Sequence, residues 1–402
     1  MTITFIPGGH VTTPRGFRAG AVAAGIKSVP GALDLALLAS DHHCSAAGVF
    51  TRNLVRSAPV GVTEARVAGG RLRAVVVNSG NANALTGDQG VRDAEEMALI
   101  AAAHLGIPAE LAAVASTGVT GVPLPLDKVR AAIPSIALTT EGGPSFARAI
   151  MTTDTVPKEV AVSVEGTAGH YSIGGCAKGS GMIHPNMGTM LAYVTTDAAV
   201  EPVFLRSLLL TTADATLNMV TIDGDTSCSD TLLVFANGAA GLPEIREGSA
   251  EATLFGEAVL AVCTYLSRAI ARDGEGAGHL IEVVVTHAET VANARQMART
   301  VALSSLVKTA VAGCDPNWGR IIVAAGRSEA PIDPARATLS MQGRVLYERG
   351  RILPFDEADM RKKLAAEEVK IVIDLALGNA TATAWGCDLT TDYVHINADY
   401  RT

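Results

Sequence analysis

The sequence predicts a layered α+β fold, and three observations carry that prediction. Short β-branched runs bounded by Gly, Asn or Asp recur along the chain, and helical patterns are scattered among them. Several strand-like runs also follow one another with no helix between them, which a strictly alternating, doubly wound sheet does not allow. The chain has 402 residues, enough for a large buried core without staples. Apolar residues make up 48% and aromatic residues only 4%, so that core must be built from Ala, Val, Leu and Ile.

In chain order, the strand-like runs are RAVVVN from Arg73, AVSVEG from Ala161, MLAYVTT from Met190, TLLVFAN from Thr231, IEVVVTHA from Ile281 and KIVIDLAL from Lys370. The helical patterns cover Arg92 to Gly106, Glu201 to Met219, Glu251 to Arg272 and Asp356 to Glu367. In the first helix, Met97, Ile100, Ala101, His104 and Leu105 form one stripe and Gly106 is a natural stop; Asp356 caps the last. The stretch GHYSIGGCAKGSGMIHPNMG, ending at Gly188, reads as the one extended glycine-rich interruption, so any natural division of the chain falls there.

Charge and cysteine usage narrow the function. The balance is 32 basic against 40 acidic residues, with no dense Lys/Arg cluster, which argues against nucleic acid and makes small-molecule chemistry the default. The six cysteines form no C-x-x-C pair and read as reduced, mostly buried thiols. The amino terminus lacks the pattern of a signal peptide, and no window holds 18 uninterrupted apolar residues, so a cytoplasmic protein without membrane attachment is expected.

Standard site motifs fail on detail. AKGSG has Lys before Gly and is not a P-loop, and DGEGAG from Asp273 follows a helix rather than a strand. DGDTSCSD from Asp223 starts like a calcium loop, but its sixth position is Cys228 and its twelfth is Val234. No H-E-x-x-H, G-x-S-x-G or clustered His/Cys/carboxylate set is present, so no metal is expected. The Gly188-Thr189 junction remains. A threonine hydroxyl becomes a good nucleophile when its own α-amino group is free, which requires a cut before Thr189. Spacing alone favours the ordinary reading, a turn into a strand. ASTGVTGVPLP from Ala115 reads equally as a source of oxyanion donors or as a loop that ends a strand. VNSGNANALTG from Val77 and CDPNWGR from Cys314 read as turn chemistry.

Taken together, MTTDTVPK (Met151 to Lys158), KGSGMIHPNMGTMLAY (Lys178 to Tyr193), STGVTG, DGDTS, DGEGA, AGCDPNWGRI and the terminal WGCDLTTDYVHINADYRT closely resemble the ornithine acetyltransferase family, also called glutamate N-acetyltransferase, of arginine biosynthesis. The resemblance spans almost the whole chain. It implies an αββα sandwich similar to that of N-terminal nucleophile hydrolases, with different connectivity. It also implies self-cleavage between Gly188 and Thr189 into an α chain (1–188) and a β chain (189–402), assembled as a heterotetramer of two α and two β chains.

On this resemblance Thr189 is the nucleophile, Thr117 and Gly118 form the oxyanion hole, and Thr152, Lys178, Thr189, Glu275, Asn397 and Thr402 contact substrate. By charge, Lys178 meets a carboxylate and Glu275 an ammonium. The implied partners are N2-acetyl-L-ornithine, L-glutamate and, in bifunctional members, acetyl-CoA as a second donor; no cofactor is needed. Two departures stand out. Gly188 replaces the family's more usual Ala, and Gly278 and His279 follow DGEGA where the family usually has Thr and then Lys or Arg, which removes a positive charge near the site. The runner-up is a hydrolase of the related β-aminopeptidase kind. A third reading is a binding protein that keeps the fold without cleaving itself.

Overall fold

The run LALLASDHHCSAAGVF, from Leu35, is apolar at both ends and interrupted by the exposed Asp41, His42 and His43, yet it forms one strand of 16 residues. The computed structural model describes residues 2–184 and 190–399. Its strands are β1 (Thr2–Phe5), β2 (Phe17–Val22), β3 (Leu35–Phe50), β4 (Arg71–Asn81), β5 (Ala112–Val119), β6 (Lys158–Glu165), β7 (His170–Lys178), β8 (Leu191–Thr196), β9 (Val220–Thr221), β10 (Thr231–Ala236), β11 (Leu280–Ala288), β12 (Thr338–Met341), β13 (Arg344–Glu348), β14 (Arg351–Ile352), β15 (Glu368–Asp374) and β16 (Ala380–Cys387). The helices are α1 (Ala58–Val67), α2 (Gly87–Leu105), α3 (Leu126–Ala132), α4 (Gly143–Ala149), α5 (Pro202–Ala215), α6 (Ala250–Arg272), α7 (Val291–Leu303), α8 (Ser305–Ala312), α9 (Trp318–Gly326), α10 (Glu357–Leu364) and α11 (Thr391–Asp399).

The polar interruption is a hinge in β3. Its register against β4 shifts between Ala39 and Cys44. The first half pairs with β2 and the second with β10. A bulge bends its strand and increases the local twist, and here the sheet β1-β6-β7-β8-β10-β3-β4-β5 folds back on itself. Phe17, Ala36, Leu38, Val75 and Val77 from one half share a cluster with Cys176, Leu191, Tyr193, Leu233 and Phe235 from the other. Outside the first half, Leu35, Leu37, Val76 and Val114 pack against Ala94, Met97, Ala98 and Ala101 of α2. Outside the second, Val162, Ile173, Val194 and Val234 meet α5 and α6. The expected αββα sandwich is therefore present, with its two β layers supplied by one continuous sheet.

A second sheet, β14-β13-β12-β15-β11-β16-β9, lies beyond α6. This helix contacts β6 and β7 on one side and β16, β11 and β9 on the other, while α7 covers the far face. Helix α6 is long and apolar enough to cross a bilayer, but its Phe255, Ala258, Val262, Leu266 and Ile270 are buried between the sheets as core.

Several sequence readings need correction. GHYSIGGCAK is not an interruption: it forms β7, paired on both edges, with β6 and β8. Its glycines allow close packing, because a Cβ on Gly174 would lie 2.4 Å from the His10 carbonyl oxygen. The buried stripe of α2 is Gly90, Asp93, Ala94, Met97, Ala98, Ala101 and Ala102; His104 is exposed. Small residues let α2 sit close to the sheet, so alanines replace the larger side chains the pattern favoured. Gly106 does stop α2 in the left-handed conformation, and Asp356 caps α10 through the Ala358 and Asp359 amides. All six cysteines are free thiols.

Residues before and after the predicted cut are interleaved: β8 and β10 lie between β7 and β3. Replacing Gly174 with Ala inserts a methyl group against the His10 backbone. It is expected to lower stability by about 1–3 kcal/mol, read as a shift of the urea midpoint.

Candidate active site

A cleft opens where elements from both segments end together. It is lined by Thr117 and Gly118 at the end of β5, Thr152 and Thr153, Lys178 at the end of β7, Asp223 and Asp225 from the loop after β9, Glu275 from the turn after α6, and Tyr393 and Asn397 of α11. Gly118 has φ +128°, and a Cβ there would lie 2.4 Å from the Gly80 carbonyl carbon and 2.6 Å from the Asn81 nitrogen. Only glycine fits this approach of two parallel strand ends.

A buried ion triad supports the floor. Lys158 Nζ donates to Asp154 Oδ1 and to Asp273 Oδ2, each at 2.6 Å, with all three side chains nearly sealed from solvent. The remaining carboxylate positions accept from the chain itself. Asp154 takes the Gly179 amide at 2.7 Å and the Thr152 amide at 3.0 Å, and Asp273 takes the amide and hydroxyl of Thr155. One cation thereby sets the backbone beside Thr152 and Lys178. Burial pushes the Asp154 carboxyl up, but Lys158, Lys178 and the hydrogen bonds outweigh it and hold it down at about 2.

Lys178 is itself buried, and its ammonium makes no ion pair among the described residues. Burial pushes its pKa down, against the pull of Asp154, Asp230 and Glu275. Opposite, Glu275 Oε2 accepts from Asn397 Nδ2 at 2.7 Å. Because this donor is neutral, the bond leaves the carboxylate charge available. His279, at the departure noted above, is tied to Asp388: Nδ1 lies 2.9 Å from Oδ2, and the Gly278 and His279 amides both reach Oδ1.

The chain leaves Lys178 along a braced path. Asp223 accepts from the Met182 amide at 2.5 Å and the Ile183 amide at 3.0 Å. The carboxylate that made DGDTS look calcium-like is thus occupied by backbone, and no group of three or more potential metal ligands occurs among the described residues. His184 follows. Arg299 can only donate, so His184 Nε2 accepts from it at 2.9 Å and Nδ1 carries the proton facing Thr221 Oγ1 at 2.9 Å. Burial, then the Arg299 charge, push the imidazole down to about 4.

Of the predicted site residues, Thr117, Gly118, Thr152, Lys178, Glu275 and Asn397 share this cleft. Gly188, Thr189 and Thr402 lie outside the described residues. Met190, the residue after Thr189, accepts from the Thr231 amide at 2.8 Å at the start of β8 and β10. Sequence reasoning missed Asp154, Lys158, Asp273 and Asp223. The i,i+4 Asp-Lys pair in MTTDTVPK was a signal for the first two; their partner Asp273 is more than a hundred residues away.

Lys158→Met leaves two buried carboxylates without their cation and is expected to cost about 3–5 kcal/mol, measured by chemical denaturation at neutral pH. The Asp154 pKa is lowered on folding, so its contribution is complete above the ordinary carboxylate pKa of about 4. It should be lost in wild type as pH falls from about 4 toward 2.

The sequence model of the ArgJ family matches residues 18–402. The chain is similar to "Arginine biosynthesis bifunctional protein ArgJ" of Symbiobacterium thermophilum, at 54% identity over 98% of this chain and 99% of that protein. The protein of the same name from Dehalococcoides mccartyi is 47% identical over 100% and 99% respectively. A crystal structure of arginine biosynthesis bifunctional protein ArgJ from Bacillus halodurans is 40% identical, with a TM-score of 0.51; the match covers 52% of this chain and 98% of that one.

Proposed function

The chain belongs to the ArgJ family of arginine-biosynthesis acetyltransferases, and from that premise we propose that it moves acetyl from N2-acetyl-L-ornithine to L-glutamate through an ester on Thr189. The ester forms after the chain cuts itself between Gly188 and Thr189. The observation that carries this reading is the cleft itself. It gathers Thr117, Gly118, Thr152, Lys178, Glu275 and Asn397 from distant parts of the sequence into one pocket.

Two facts support the cut. β8 and β10 are hydrogen-bonded inside the sheet of the first segment, so both pieces stay joined once the bond is gone. The solved Bacillus halodurans chain is matched almost end to end by 52% of this chain, close to the 214 of 402 residues that a chain starting at Thr189 contains.

In the transfer step the Thr189 hydroxyl attacks the acetamide carbonyl while the α-amino group takes its proton. That amine has an ordinary pKa of about 7.7 to 8.0. Thr117 and Gly118 donate to the oxygen that becomes negative. The C–N bond breaks, ornithine leaves with the proton on its nitrogen, and the acetyl group stays on Thr189. Glutamate then attacks the ester through its amine and restores the hydroxyl. Lys178 meets a substrate carboxylate, and Glu275, held by Asn397, meets an ammonium. Acetyl-CoA is a second donor to the same hydroxyl. The assembled enzyme is a heterotetramer of two α and two β chains, each αβ unit joined through the interleaved sheet.

Denaturing mass spectrometry of active protein should show pieces of 188 and 214 residues, the larger beginning Thr-Met-Leu-Ala. Thr189→Ala should stay folded, uncut and inactive, whereas Thr189→Ser should still cut. An intact chain in an active preparation overturns the reading.

The 214-residue piece given acetylornithine alone should gain one acetyl group and lose it when glutamate is added, with parallel double-reciprocal plots. Acetyl recovered as free acetate instead of on glutamate would identify a hydrolase.

A further inference from the structure

We infer that Asn78 and Ser116 are positioning residues for the oxyanion donors, a role that rests on the proposed function of Thr117 and Gly118. The asparagine-rich run at the end of β4 otherwise has no part in the chemistry. β4 and β5 run parallel, and their paired rows Val75–Ala113, Val76–Val114 and Val77–Ala115 are entirely apolar. The next row is Asn78–Ser116, where Ser116 Oγ donates to Asn78 Oδ1 at 2.6 Å. Both side chains are sealed from solvent. The row after that contains Thr117.

The network brackets the donors from both sides. Asn78 Nδ2 donates to the Asn81 carbonyl at 2.9 Å. Asn81 Nδ2 in turn reaches the carbonyls of Val122 and Pro123 at 3.1 Å each, and its Oδ1 accepts from the Asn83 amide at 2.8 Å. Strand β5 is therefore pinned one residue before Thr117, and its continuation is pinned a few residues after Gly118. Between the pins the register breaks, with Asn81 opposite both Thr117 and Val119, and Gly118 adopts φ +128°.

Stability does not require this arrangement. Apolar residues fill the three preceding rows, and replacing both partners of a buried hydrogen bond with matched apolar groups is close to neutral. What an amide adds is direction. Asn78 offers an acceptor to β5 and a donor to the Asn81 carbonyl of its own strand, and the Asn81 side chain reaches on to the continuation of β5, which fixes the relative height of the two strands where the turn of Thr117 and Gly118 begins.

The test compares kcat and KM for acetyl transfer in Asn78→Asp, Ser116→Ala, Thr117→Ala and the Ser116→Ala/Thr117→Ala double variant, with thermal melting to confirm folding. Asn78→Asp keeps the shape and removes one donor, and Ser116→Ala removes one hydroxyl, so the two disturb the network from opposite strands. Each should lower kcat by about 10- to 100-fold and leave KM for acetylornithine within about twofold. In the Thr117→Ala background the Ser116→Ala loss should be smaller than in wild type, because one of the two donors that Ser116 positions is already gone. Full kcat in folded Ser116→Ala, or losses that simply multiply in the double variant, would overturn the positioning role. A Thr117→Ala variant with wild-type kcat would instead remove the oxyanion reading beneath it.

Discussion

The structure depends on one constraint: two strands from the second segment complete a sheet begun by the first. Strand β8 is hydrogen-bonded to β7 on one edge and β10 on the other, and all six of its residues are buried. Strand β10 joins that pair to β3. Neither segment has a closed sheet without the other. A break before β8 removes none of these ladder bonds, and the start of β8 lies next to the ends of β7 and β10. Those are the ends that carry Lys178 and the Ser227–Asp230 loop.

The charges beneath the cleft follow from the same interleaving. Asp154 and Lys158 come from the first segment and Asp273 from the second, so the triad crosses the junction as the sheet does. A buried ion pair is weak support for stability in itself, since desolvation opposes the attraction. Its value here is geometric: every carboxylate oxygen not bound to Lys158 accepts from backbone or a hydroxyl of the cleft floor. The alignment of Lys178 with Thr152 thus depends on a cation that touches neither.

Legibility in the sequence followed the range of the physics involved. Helix ends were readable because Gly106 and Asp356 act within one turn. Strands β8, β10, β11 and β15 were readable because β-branched runs declare themselves locally. Strand β7 was hidden because its glycines answer to distant partners, Gly174 to the His10 backbone and Gly175 to Val262 and Leu266 of α6. No strand was read over β3, because its exposed Asp41, His42 and His43 are a bulge defined only by its partner strands. The residues that line the cleft were singled out through long ordered motifs, whereas the triad beneath them joins residues whose relation exists only in three dimensions.

The proposed function asks a single hydroxyl to perform two reactions, under different conditions in each. In the uncut chain the nitrogen of Thr189 is an amide, whose lone pair is delocalised and cannot serve as a base. The amine that activates the hydroxyl for acetyl transfer is therefore a product of the first reaction. On that proposal cleavage must move its proton by another route, whereas the donors at Thr117 and Gly118 would serve an oxyanion in both steps. Around the start of β8 and β10, burial pushes the Lys178 ammonium down and the Asp230 carboxyl up, both toward their uncharged forms. Under the proposed function, the new amine takes over the role of base once the bond is cut. Cleavage and transfer should accordingly respond to pH with different profiles, although they share one nucleophile and one set of donors.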